Sequence, residues 1–299
     1  MNIEQELSRR IKTKVLVNEP MALHTSWQVG GPADYYLSPD SVDELVEIIK
    51  FTASNNVPLF IMGNGTNLLV RDGGIRGVVV NIGEAFSYIK PTSGGLVAGA
   101  GTSMTLLART SASYGFGGLE FAVGIPGSLG GAVIMNAGAF GGYIGERVQS
   151  VNLINLAGEI STLTDDELQF GYRTSNLVGK GIIYEINLNL KKGEKTESEK
   201  MMRYFLAERH RRHPNLPSAG SVFRNLPDQP AGRIVESAGG KGMRIGGAEV
   251  SEQHANFIVN IGDATASDIL ALIVAVQKLV KDKFAIDLKP EVKIVGEER

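Results

Sequence analysis

The 299-residue chain predicts an α+β fold built from two or three domains, on three observations. Helical and strand-like patterns both occur, and between residues 77 and 190 apolar strand runs follow one another with one clear helix among them. The length, at about 150 residues per domain, suits two domains or three small ones. Glycine is in excess at 37 of 299 residues, where about 7% is ordinary, and 21 of the 37 lie between positions 60 and 146. These glycines show no three-residue period and alternate with apolar runs, which excludes a collagen-like or low-complexity chain. The excess needs a local cause.

The opening residues read as a short helix, followed by an irregular stretch through His24-Thr-Ser-Trp-Gln-Val-Gly-Gly-Pro32. Ser41-Val-Asp-Glu44 has capping-box spacing: the Ser hydroxyl and the Glu carboxylate each accept a backbone N–H at a helix start. Val42, Leu45, Val46, Ile48 and Ile49 then form one helical face. Residues 57–62 are a short apolar run between turn residues, expected as a buried strand. It leads into the loop Gly63-Asn-Gly-Thr-Asn67 and a further apolar run over 68–70. Strands are expected at 77–81, 96–99, 151–156 and 182–190, with a helix over 104–114. Residues 191–199 (KKGEKTESE) are charged and nearly free of apolar side chains, a linker or a helix lead-in. A basic helix over 201–212, a glycine-punctuated stretch over 217–247 and a strand over 256–260 follow. The last helix carries Ile269, Leu272, Ile273, Val276, Leu279 and Val280 in an i, i+3, i+4 rhythm. The chain thus divides into a first lobe at 1–76, a second at 77–195 and a third region at 196–299.

Charge and composition exclude several functions. Thirty Lys and Arg against 32 Asp and Glu leave a net charge of −2, with the basic residues dispersed, so no nucleic-acid surface is expected. The absence of Cys removes disulfides, thiolate catalysis, iron–sulfur clusters and Cys-type zinc sites. Of the four His, His210 and His213 lie three apart without a nearby carboxylate, a poor metal site. The first ten residues contain no apolar stretch and no run is long enough to span a bilayer, so no membrane insertion and a cytoplasmic location are expected.

Glycine-rich loops commonly bring backbone N–H groups against phosphate, because no Cβ blocks the approach. The two familiar versions are absent. Gly63/Gly65, Gly99/Gly101 and Gly115/Gly117 are followed by Leu68, Met104 and Glu120 where a dinucleotide fingerprint needs glycine. Gly179-Lys180 and Gly240-Lys241 lack the earlier glycine of a P-loop. There remain the loop at 63–67, Gly124-Ile-Pro-Gly-Ser-Leu-Gly-Gly-Ala132 and Asn136-Ala-Gly-Ala-Phe-Gly141. A long diphosphate ligand would use both main loops; tight turns without a ligand are the alternative.

Several strings are specific. His24-Thr-Ser-Trp-Gln-Val-Gly-Gly-Pro-Ala33, Gly63-Asn-Gly-Thr-Asn-Leu-Leu-Val70, residues 124–138, Gly171-Tyr-Arg-Thr-Ser175, Ala219-Gly-Ser-Val-Phe-Arg-Asn225, His254-Ala-Asn-Phe-Ile-Val-Asn260 and Pro290-Glu-Val292 occur in this order. Together they resemble the UDP-N-acetylenolpyruvoylglucosamine reductase family over almost the whole chain, and the length resembles its shorter subclass. The resemblance implies a two-lobed FAD-binding domain of the vanillyl-alcohol-oxidase (PCMH) type and a C-terminal α+β substrate domain. It further implies noncovalent FAD, NADPH as reductant, and a UDP-sugar enolpyruvyl substrate that receives hydride from flavin N5 at C3 and a proton at C2. A monomer or weak oligomer is expected.

By the same resemblance, Gly63, Asn64, Gly65, Thr66, Asn67 and Leu68 contact FAD, as do Gly124, Ile125, Pro126, Gly127, Ser128, Gly131, Ala132, Asn136, Ala137 and Gly138. Hydride addition beside a carboxylate builds enolate-like charge that needs fixed donors. Arg173, in the Gly-Tyr-Arg motif, offers a permanently charged planar fork. Ser221 matches the family's proton donor and Glu291 the carboxyl group that hydrogen-bonds or helps protonate the intermediate. Arg224 and Asn225 match substrate contacts, and Arg209 and Arg244 are further candidates for phosphate or carboxylate. Leu226 stands where the family usually has Pro, and Met243 where an aromatic is common. His24 is expected to pack or hydrogen-bond rather than carry flavin, and Trp27 to lie in the core. Two alternatives remain at this point: an oxidase of the same flavin fold indifferent to NADPH, and a noncatalytic flavin- or nucleotide-binding module.

Overall fold

The computed structural model describes residues 2–298. Contacts divide the chain into two compact units, each drawn from three stretches of sequence. The first unit takes residues up to 17, 35–64 and 77–209, and the second takes 18–34, 65–76 and 210 onward. The span 1–76 therefore contributes to both units, 77–195 lies within the first, and position 196 falls inside the helix Lys195–Arg212.

The main sheet of the first unit has five antiparallel strands in the order Ile160–Thr164, Val148–Ile154, Ile182–Asn189, Gly95–Gly99, Ile89–Thr92. The three inner strands match expectation closely. The two edges were not foreseen: Ile160–Thr164 is exposed nearly throughout, and Ile89–Thr92 contains Pro91, which only an edge strand tolerates. The helix Met104–Ser113 starts where the Ser103 hydroxyl accepts the Leu106 N–H, and it buries Met104, Leu107, Ala108, Ser111 and Ala112 at helical spacing. The strand Leu59–Met62 runs parallel to Ile75–Asn81. Leu45, Ile48, Ile49, Val78, Val80, Ala98, Leu107 and Ile186 lie in one apolar core.

The helix Val42–Ser54 keeps half of the expected capping box. The Ser41 hydroxyl accepts the Glu44 N–H, but the Glu44 carboxylate accepts the Asp40 N–H at 3.0 Å and the Thr13 hydroxyl at 2.5 Å instead of the Ser41 N–H. Several donors at the 12–13 turn outcompete the single local one. Burial alone would raise the Glu44 pKa, yet these donors from Thr13, Asp40 and Lys12 hold it below its ordinary value.

Residues 191–199 prove to be a helix lead-in: Lys191–Lys192 pairs with Phe116–Gly117, and the helix begins at Lys195. In the second unit, Arg244–Ile245, Ala248–Val250 and Ile258–Asn260 form an antiparallel sheet, and Lys293–Val295 pairs parallel to Leu68–Val70. The helix Ala266–Phe284 opens with a capping box between Thr265 and Asp268. Asp72 adds a second anchor, its carboxylate accepting the N–H groups of Ala266 at 3.0 Å and Ser267 at 2.9 Å. Trp27 is fully buried and donates its indole N–H to the Ile258 carbonyl at 2.7 Å, a core residue as expected. His24 hydrogen-bonds Glu19 at 2.9 Å, as expected of a packed residue.

Candidate active site

In the first unit the two glycine loops converge. A Cβ on Gly63 would lie 2.2 Å from the Ser128 hydroxyl and 3.3 Å from its Cβ, so the Ser128 side chain packs directly on this glycine. Behind Ser128, the N–H groups of Leu129 and Gly130 are committed to the carbonyls of Thr102 and Ala100, both at 2.8 Å, and a Cβ on Gly130 would strike Ala100. Those two amides anchor the loop to the strand end Gly95–Gly99 and its following turn, so other groups of the loop must face any ligand. Gly131 differs from Gly63 and Gly130. It lies exposed in the helix Leu129–Ile134, without a positive φ, and a Cβ there would meet only the Ser128 hydroxyl at an ordinary 3.5 Å.

Helical glycine costs about 1 kcal/mol relative to alanine. The chain's own packing does not require glycine at position 131, and its absence of a side chain leaves the helix backbone open there to a ligand. This fits a diphosphate-bearing flavin cofactor held by residues of 63–64 and 124–138.

Beyond the loop, Asn136 sits buried with φ +42. Its side-chain amide donates to the Gly171 carbonyl at 2.9 Å and its oxygen accepts the Gly145 N–H at 3.0 Å. These two bonds hold the Asn136 side chain in place, and its backbone N–H is committed to the Val133 carbonyl at 3.2 Å. Gly171 opens a two-residue hairpin, Phe170–Gly171 paired with Thr174–Ser175, and Arg173 is its second turn residue at φ +55. This left-handed position usually belongs to Gly or Asn. An arginine in that conformation costs about 1–3 kcal/mol. Its guanidinium donates to the Gly138 carbonyl at 3.3 Å and lies 5.9 Å from the Tyr172 ring. The Ser175 hydroxyl, donating to the Ile134 carbonyl at 2.8 Å, pins the hairpin to the glycine-loop helix. Arg209 covers the start of the second loop: a Cβ on Gly124 would lie 2.8 Å from its Cδ. Burial lowers the pKa of its guanidinium, so a cation is held in a poorly hydrated place beside the loop.

The second unit assembles the other expected residues. Glu291 donates its backbone N–H to the Val222 carbonyl at 2.7 Å and Arg224 donates to the Lys289 carbonyl at 2.9 Å, so the segments of Ser221 and Glu291 run side by side. Asn67 joins them, its side-chain amide donating to the Glu291 carbonyl at 3.3 Å. Gly65 lies at φ +60 with the His24 carbonyl 2.0 Å from where a Cβ would be, and only glycine fits. Arg224 is exposed. Asn225 uses its side-chain oxygen to accept the Ala231 N–H at the start of the helix Ala231–Ser237, which leaves its amide as the group that could meet a substrate. Arg244, exposed on the sheet edge, donates to the Gly246 carbonyl at 3.1 Å.

Sequence reasoning missed the residue that fixes the Ser221 segment. Asn256, 3% exposed, accepts the Phe223 N–H and donates to the Phe223 carbonyl, both at 2.9 Å, while its own carbonyl accepts the Val222 N–H at 2.8 Å. Asn260 similarly donates to the Trp27 carbonyl and accepts the Gly262 N–H. An Asn at each end of a short apolar run was the available signal.

Comparisons with known proteins agree with this geometry. Residues 33–164 match the family model described as FAD binding domain, and residues 212–295 match UDP-N-acetylenolpyruvoylglucosamine reductase, C-terminal domain. The chain is 42% identical over 295 residues to the UDP-N-acetylenolpyruvoylglucosamine reductase of Desulforamulus reducens, covering 98% of this chain and 97% of that one. It is 44% identical over 286 residues to that of Alkaliphilus oremlandii, covering 95% and 94%. The crystal structure of the Thermus caldophilus UDP-N-acetylenolpyruvylglucosamine reductase aligns with a TM-score of 0.81 at 35% identity, over 94% of this chain and 98% of that one. The α+β class and the FAD-binding domain expected from sequence are those found, and the chain belongs to the UDP-N-acetylenolpyruvoylglucosamine reductase family as an FAD-dependent oxidoreductase.

Proposed function

We propose that this enzyme uses NADPH to reduce UDP-N-acetylglucosamine enolpyruvate to UDP-N-acetylmuramate, a step of peptidoglycan precursor synthesis in the cytoplasm. Among the described residues, no helix is long and apolar enough to cross a membrane. The observation that carries the proposal is the pairing of the Ser221 and Glu291 segments, two protic side chains placed on adjoining backbone. FAD, when bound, supplies the hydride-transfer chemistry.

The chain's residues then deal with charge and the proton. Arg173 holds the charge that grows on the substrate carboxylate, and a fixed guanidinium does so without reorganising. Ser221 gives its hydroxyl proton to C2; a serine is a weak acid, so this works only against a strongly basic carbon. Glu291 hydrogen-bonds the intermediate. Arg224, Asn225, Arg209 and Arg244 contact the phosphates and sugar, with 63–68 and 124–138 against FAD. Tight-turn glycines alone do not account for Gly131, which favours the ligand-binding account of the loops.

Stopped-flow spectroscopy tests the proposal. NADPH should bleach the visible flavin absorbance without oxygen, and the enolpyruvyl sugar nucleotide should restore it. Bleaching without substrate-driven recovery would instead indicate another oxidoreductase of this fold.

A further inference from the structure

We propose that Phe205, through its ring contact with Phe140, is a positioning residue for Arg173. Phe140 and Gly141 are the two turn residues of the hairpin Gly138–Ala139/Gly142–Tyr143, and both have positive φ, +51 and +84. Such a turn favours Asn-Gly, because both central residues are left-handed, and a bulky aromatic in that conformation is an outlier. Phe140 is also 42% exposed, so core burial does not explain it. Its ring does have a partner: it stacks on Phe205 of the helix Lys195–Arg212 with centroids 4.3 Å apart and planes 13° from parallel.

The stack bears on Arg173 through one strand. Gly138, two residues before Phe140, presents the carbonyl that accepts from the Arg173 guanidinium. At the base, Asn136 ties this hairpin to the Arg173 hairpin through Gly145 and Gly171. Asn136, Phe140 and Arg173 are three of the non-glycine residues with positive φ, and all lie in this one network. The hairpin tip is thus fastened by a ring contact and its base by an amide, with the carbonyl that orients the guanidinium between them. Loosening the tip frees that carbonyl; Phe205 also packs against the margin of the unit's apolar core, so hydrogen exchange in the sheet strands separates a loosened tip from a loosened core.

The inference rests on the proposed role of Arg173, so its test separates the two. In the holoenzyme, Phe205→Ala should slow substrate-driven flavin reoxidation about tenfold to a hundredfold, the scale of an ångström-level misplacement. Reduction by NADPH and the KM for the sugar nucleotide should stay within about threefold. Phe205→Tyr, which keeps the ring, should restore the rate. Hydrogen exchange of the apoprotein should speed up over 138–145 and 171–174 in Phe205→Ala and not in the sheet strands. In an Arg173→Gly background, adding Phe205→Ala should cost nothing further. If Arg173→Gly is slow and Phe205→Ala slows it further by its full factor, or if Phe205→Ala alone is as fast as wild type, the positioning role is overturned while the Arg173 role stands. If Arg173→Gly itself reoxidises at the wild-type rate, both fall.

Discussion

The first unit holds its glycine loops by packing glycines tightly against side chains: Gly63 against the Ser128 hydroxyl, Gly130 against the Ala100 methyl, Gly124 beneath the Arg209 stem. The second unit holds its functional segment by buried amides, with Asn256 gripping Phe223 on both backbone groups, Asn260 gripping Trp27 and Gly262, and Asn67 reaching Glu291. The first device suits a flat, charged cofactor that must lie against peptide groups. The second suits a serine and a carboxyl group that must be aimed, because an amide that both donates and accepts fixes a strand in register. Removing a side chain should therefore hurt the second unit most, and adding one should hurt the first.

The largest effect follows from Asn256→Ala. It strands the N–H and the carbonyl of Phe223, which is itself 1% exposed. Each orphaned group costs about 1–3 kcal/mol, so urea denaturation should show a loss of about 2–6 kcal/mol. A loss below about 1 kcal/mol would mean that the amide clamp is dispensable. Next in size is Gly63→Ala, whose new methyl meets the Ser128 hydroxyl. Overpacking of about 1–3 kcal/mol should appear as weaker FAD binding in apoprotein titrations. Adding Ser128→Ala removes the clashing oxygen, so the double variant should bind FAD more tightly than the sum of the two single changes predicts; simple additivity would deny that Gly63 and Ser128 touch.

The smallest effect is in pH. Burial lowers the His254 pKa from its ordinary 6.5, a backbone hydrogen bond and Glu236 partly offset this, Lys241 adds to it, and the neutral ring nitrogen accepts the Asn256 N–H at 3.2 Å. The unfolded chain therefore binds the proton more readily than the folded one. This stability is present above about pH 6.5 and is lost as the pH falls toward the folded value, at no more than about 1.4 kcal/mol per pH unit. Glu44 in the first unit behaves alike but in a more acidic window, below its ordinary 4.5. Denaturation of His254→Phe across this range should flatten the near-neutral slope and leave the acidic one. An unchanged near-neutral slope would assign that slope to another group.

The same contrast explains what could be read from sequence. Glycine spacing is a local pattern, and it makes both glycine loops legible in the sequence. The inner strands and the helix Ala266–Phe284 were legible because their apolar residues repeat at strand or helix period. Edge strands such as Ile160–Thr164 were not, because solvent on both faces erases the alternation. Glu44 illustrates another limit: its position after Ser41 was visible, but the competing donors at Thr13 come from 31 residues away. Asn256 has the same character, since a buried asparagine looks like a surface one until its partner 33 residues away is known. Arg173 is singled out by resemblance alone, and its left-handed backbone has no sequence signature.

In the proposed reaction the first unit carries the flavin and the second supplies the proton. Measuring both half-reactions of Ser221→Ala tests this most directly. Reduction of the bound flavin by NADPH should proceed at the wild-type rate, while anaerobic reoxidation by the enolpyruvyl sugar nucleotide should slow by about two to four orders of magnitude, the usual worth of a positioned proton donor. Equal rates in both half-reactions would remove Ser221 as the donor and with it the division of labour between the units.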